Sequence, residues 1–150
     1  MADVTYSDPR QPVRLGGPTR VLLAALGVGL FVLLAVAGVL DPSPSGFGTH
    51  RQLGLPPCTF TALFGMRCPS CGMTTSWAHL VRGNVLEAVQ SNLGGTLLGL
   101  SALLAAPWLL VSALRGRWWI FAPEQRVGIS VGVLIGAVTL LDWLWRYWSG

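Results

Sequence analysis

There is no lysine anywhere in this chain, and only six acidic residues stand among its 150. Charged residues amount to 11%, against roughly 25% in an ordinary soluble domain. The apolar share of 52% is more than a single water-soluble core of this length can hide. Lipid as solvent removes the difficulty. All positive charge is arginine, ten residues spread along the chain for a net +4. Nucleic-acid recognition needs such residues clustered on one face, so that partner is excluded. Cysteine is scarce: three residues, with no second Cys-x-x-Cys unit to complete a zinc ribbon. Gly72 stands where haem attachment of the c type needs histidine. No βαβ pattern frames the cysteines, which excludes the thioredoxin fold, and no internal repeat is visible.

What is present is long apolar runs. Val21 to Leu40 gives twenty consecutive uncharged residues between Arg20 and Asp41, a match to a hydrocarbon core about 30 Å thick. Asn92 to Leu114 gives twenty-three more before Arg115. A third run starts at Val127 and loses its apolar character after about Leu141, where Asp142 and Arg146 can pair at i,i+4. Trp143, Trp145, Tyr147 and Trp148 around that pair resemble an interfacial aromatic belt, and Trp118 and Trp119 mark the opposite interface. Pro107 is expected to kink the second span. Residues 1–19 read as a disordered tail and 20–150 as one membrane domain with spans at about 21–40, 92–114 and 127–145.

Arginine distribution orients the spans. Arg10, Arg14, Arg20, Arg115, Arg117 and Arg126 share one face, while Arg51, Arg82 and Arg146 lie close to span ends on the other. The positive-inside rule places the N-terminus in the cytoplasm and the cysteine loop outside. Ala35-Val36-Ala37 resembles a signal-peptide cleavage site, but the apolar run is long for one and favours an uncleaved anchor. Either way the cysteine loop stays on the same side.

Small residues recur at helical spacing. Gly128, Gly132 and Gly136 form two overlapping GxxxG patterns in span three, and Gly95 with Gly99 forms another in span two. Such faces allow close helix approach, either between these two spans or in a homo-oligomer. Glycine is also simply frequent in membrane helices.

The chemistry lies between the first two spans. In Cys68-Pro69-Ser70-Cys71-Gly72 the proline fixes φ after the first cysteine, and the glycine can take positive φ after the second. Both sulfurs can then face one point, as in a metal-binding knuckle. A short helix is expected from about Thr74, with a threonine hydroxyl as N-cap and its positive end beside Cys71. It carries Trp77, Leu80 and Val81 and suits the membrane interface. Gly83 is its stop, and Asn84 with Glu87 reads as a capping-box start of the helix that becomes span two.

These residues resemble the bacterial membrane family called domain of unknown function 2752. The matching positions are Cys58, Phe64-Gly65, Cys68-Pro69, Cys71-Gly72, Thr74, Gly83 and Asn92, within about 56–114. Thr75 departs from the pattern, since many members carry arginine there. The resemblance implies a bacterial cytoplasmic (inner) membrane protein and supplies architecture without an activity.

Three readings of the cysteines remain open. In the first, Cys58, Cys68 and Cys71 bind a metal, most plausibly zinc, with His79 as fourth ligand and His50 as second choice. In the second, the chain is a membrane thiol–disulfide oxidoreductase, with Cys68 attacking, Cys71 resolving and Cys58 as shuttle. In the third, two cysteines form a structural disulfide. No set of nucleophile, base and oxyanion donors can be assembled, which weighs against an enzyme. The expectation is thus an all-α membrane protein of three spans, plus a short interfacial helix after a CPxCG knuckle.

Overall fold

The structure is a computed structural model and describes residues 14–149; most of the expected tail, residues 1–13, lies outside them. The described residues form α1 (Gly17–Val39), α2 (Thr59–Phe64), α3 (Met73–Leu80), α4 (Val85–Ser91), α5 (Leu93–Arg115) and α6 (Gln125–Ser149). A short 3-10 turn, Thr49–Leu53, follows α1. The fold is all-α, and α1, α5 and α6 are each long and apolar enough to cross a membrane. α1 starts ahead of Val21, at Gly17, with Pro18 in its first turn, where a missing N–H is no loss. Residues 17–19 are therefore helix and not tail.

α1 and α5 form the principal pair. Leu23, Gly27, Leu34 and Ala37 are the buried stripe of α1, and Leu34 meets Ala102 and Ala106 in the hydrophobic core. A Cβ on Gly27 would lie 2.8 Å from Leu110 Cγ and 3.2 Å from the Ala106 carbonyl oxygen. Glycine there sets the interhelical distance. α5 runs unbroken through Pro107.

The glycine patterns divide. Gly95 and Gly99 are covered by α3: added Cβ atoms would meet Met73 at 3.0 Å and Leu80 at 2.7 Å. α6 crosses α5 one place earlier, at Gly94, against Thr139. Cβ atoms added at Gly128, Gly132 and Gly136 would meet no other described element within 4 Å, and residues 125–134 are exposed throughout. Among the described residues these three glycines do not pack span three on span two.

Local caps also differ from expectation. α3 begins after Gly72 with no side-chain cap, and the Thr75 hydroxyl bonds Thr49 instead. Asn84 is the N-cap of α4, but its side chain makes no capping bond. α4 does not continue into span two. Asn92 adopts extended backbone (φ −167°, ψ 111°), ends α4 and caps α5, its Oδ1 accepting from Gly95 N–H at 2.6 Å.

Arginines tie helix ends together. Arg20 donates to the carbonyls of Ala113 (2.8 Å) and Leu114 (3.2 Å) at the end of α5. Arg82 donates to Ala37 (3.4 Å) and Gly38 (3.1 Å) at the end of α1. Arg146 pairs with Asp142 and donates to the Ser91 carbonyl (2.8 Å) at the end of α4. Each puts a cation where a helix presents unsatisfied carbonyls.

Candidate metal centre

The site is built from two short chain reversals. Cys58 is the N-cap residue of α2, whose end at Gly65 (φ 68°) turns the chain back towards Cys68. The knuckle closes with Cys71 N–H donating to the Cys68 carbonyl at 3.0 Å. Gly72 then takes φ 96° and starts α3. A Cβ here would collide with the carbonyl oxygens of Ser91 and Gly46, so only glycine lets the knuckle settle on the α4–α5 junction.

Asn92 holds it there. This side chain, 1% exposed, donates from Nδ2 to the carbonyls of Pro69 (3.0 Å) and Cys71 (3.1 Å). With Oδ1 on Gly95 N–H it joins the knuckle to the first turn of α5. A second polar tie lies behind α3. Thr75, fully buried, shares a 2.8 Å hydrogen bond with Thr49, whose hydroxyl accepts from Ser43 N–H at 3.0 Å. An arginine at position 75 would have no room in this packing.

The result is a three-sulfur cluster. Cys68 Sγ lies 3.0 Å from Cys71 Sγ and 3.6 Å from Cys58 Sγ, and all three sulfurs fall within 4.8 Å of one another. All three cysteines are free. Tetrahedral zinc, with Zn–S of about 2.3 Å, requires sulfurs about 3.8 Å apart. The cluster needs only small adjustments to accept such an ion. Thr61 Oγ1 stands 3.7 Å from Cys71 Sγ.

The thiols differ in acidity. The backbone N–H of Thr61, and then its hydroxyl, lower Cys58 from 9.0 to about 7. Burial, and then hydrogen bonding with Cys71 and Cys58, pushes Cys68 up to about 12. Of these two, Cys68, partly buried beside two other sulfurs, is the harder to ionise.

The histidines separate. His79 sits in the last turn of α3 and is not among the residues gathered around the sulfurs; its Nδ1 is buried without a partner. Seven helical residues beyond Gly72 amount to a rise of about 10 Å. His50, the second choice, is not among those residues either but shares a cavity with them. It lines a cavity of about 620 Å³ that touches all three cysteines and also contains Arg51 and Phe47. A neighbouring cavity of about 530 Å³ touches Cys68 and Cys71, together with Arg67, Trp143 and Arg146. Trp143 Nε1 donates to the Arg67 carbonyl at 2.6 Å, which brings the end of α6 to the knuckle.

Sequence reasoning placed Asn92 at the head of span two but missed it as the clamp. The available signal was an amide residue at the mouth of an apolar run, where its polar groups need protein partners. Arg51 and Thr61 carried no comparable signal.

Helices and cluster together define a class: a small all-α protein with three candidate membrane helices and a three-cysteine knuckle at one end of the bundle. The family model described as "Protein of unknown function (DUF2752)" matches residues 58–106. The resemblance is thus shown for the segment that begins on the first cysteine and ends in the α1–α5 core. No curated protein and no solved structure matches the chain.

Proposed function

We propose that the chain is a multi-pass membrane protein that holds one zinc ion on Cys58, Cys68 and Cys71, as a structural or binding centre and not a catalytic one. The observation that carries this reading is the convergence of three free sulfurs within 4.8 Å. Thiolates select borderline-soft ions such as zinc over magnesium or calcium. The cluster lies on the face reached by the end of α1, the start of α5 and the end of α6. The arginine balance puts that face outside a bacterial cytoplasmic membrane, with the N-terminus inside. Lipid surrounds the spans. The open glycine face of Gly128, Gly132 and Gly136 is what α6 offers a second copy, since Gly95 and Gly99 are occupied by α3.

The test is the metal content of the detergent-purified protein. About one zinc per chain, lost in Cys68→Ser and retained in His79→Ala, is the expected result. The competing reading, a thiol–disulfide exchange centre, draws on the 3.0 Å separation of Cys68 and Cys71. A metal-free protein whose Cys68 and Cys71 cycle between thiol and disulfide at full folded yield would replace the zinc reading with that one.

A further inference from the structure

The three sulfurs leave a tetrahedral ion one coordination position short. Among the described residues no histidine or carboxylate joins them. All three cysteines line the cavity of about 620 Å³, within the size range of small-molecule sites. Among the described residues, Arg51 lines it and no aspartate or glutamate does. Ser43, Ser70, Thr74 and the apolar Phe47 also line it. Three thiolates around Zn²⁺ leave one negative charge, so a further anion is accepted only where a cation offsets it. Arg51 supplies that cation, and its planar fork matches a carboxylate.

Building on the zinc reading above, we propose that the fourth position belongs to an exchangeable ligand, a small acidic thiol. Its sulfur completes the soft donor set and its carboxylate meets Arg51. On binding, the thiol releases its proton to solvent, a metal–sulfur bond forms, and a water molecule leaves the ion. No electrons are transferred.

The experiment uses the full chain in detergent, loaded with Co²⁺ in place of zinc, because the visible spectrum of cobalt reports both coordination number and thiolate donors. Mercaptoacetate is titrated in, with neutral mercaptoethanol as comparator. The expected result is a saturable gain of thiolate-to-metal absorption that favours mercaptoacetate. Arg51→Gln then weakens mercaptoacetate on the order of tenfold and leaves mercaptoethanol unchanged. His50→Ala leaves the starting spectrum as it was.

A bound cobalt whose spectrum ignores both thiols, or changes in His50→Ala, overturns the exchangeable ligand while the metal site stands. Equal affinity for the two thiols, or an Arg51→Gln variant that binds both as before, removes the acidic specificity. Absence of cobalt binding overturns the metal reading itself, and this inference with it.

Discussion

Asn92 does three things with one buried amide, and each is an interaction that water cannot replace at this position. Asn92→Ala leaves the carbonyls of Pro69 and Cys71 and the N–H of Gly95 without their partner. Each unsatisfied buried group costs about 1–3 kcal/mol, so a loss of at least 2–3 kcal/mol is expected, with weaker metal retention. A denaturation midpoint equal to that of the parent protein would refute the clamp. The thiols make a second residue-level prediction. In metal-free protein Cys58 lies below the ordinary thiol value, so its contribution to stability is complete above about pH 9 and lost as pH falls through about 7. Cys68 has the opposite sign, with stability complete below about pH 9 and lost as pH rises through about 12. Alkylation of the metal-free protein at pH 8, followed by peptide mass spectrometry, should find Cys58 modified well before Cys68. Equal rates would contradict the assignment.

At the scale of elements, two glycines have opposite consequences. Gly72→Ala demands a side chain at φ 96° and drives a Cβ into two backbone carbonyls. The left-handed conformation alone costs roughly 1–2 kcal/mol, and the backbone collisions add to it. Loss of the docked knuckle and of bound metal is expected. Gly132→Ala meets nothing in the described chain, so the single chain should keep its stability within about 1 kcal/mol, while a pairing of two copies on this face would weaken. Comparison of yield, metal content and thermal midpoint for these two variants checks both. The Pro-x-Cys-Gly turn marks Gly72 in the sequence, whereas the GxxxG spacing of Gly132 fixes which residues share a face but not what that face meets. The expected capping box failed for a related reason. Asn84 and Glu87 have the right spacing, yet the amide that bonds a helix start is Asn92, at a break that only the knuckle's docking creates.

For the whole molecule, α1 is part of the core. Cleavage after Ala37 would remove Leu23, Gly27, Leu34 and Ala37 from their contacts and bare Ala102 and Ala106. The intact mass of the purified protein should therefore include α1, and a mass lacking it would refute its place in the bundle. The three spans were legible because hydropathy is local and additive: twenty uncharged residues suit lipid whatever surrounds them. Two of the sulfurs were legible for the same reason, since a Pro-x-Cys-Gly turn brings neighbours in sequence together. The remainder depended on where separate elements come to rest. α2 and Gly65 return the chain so that Cys58 joins the pair, while the rigid rise of α3 carries His79 away. The 3-10 turn brings His50 and Arg51 to the cavity, and Arg20 and Arg82, counted only for orientation, become ties between helix ends. The sequence by itself determined the solvent, the number of spans and the turn of the knuckle, all properties of short stretches of chain. The tertiary structure decided which distant groups share the site, because proximity across a bundle depends on packing that no single segment contains.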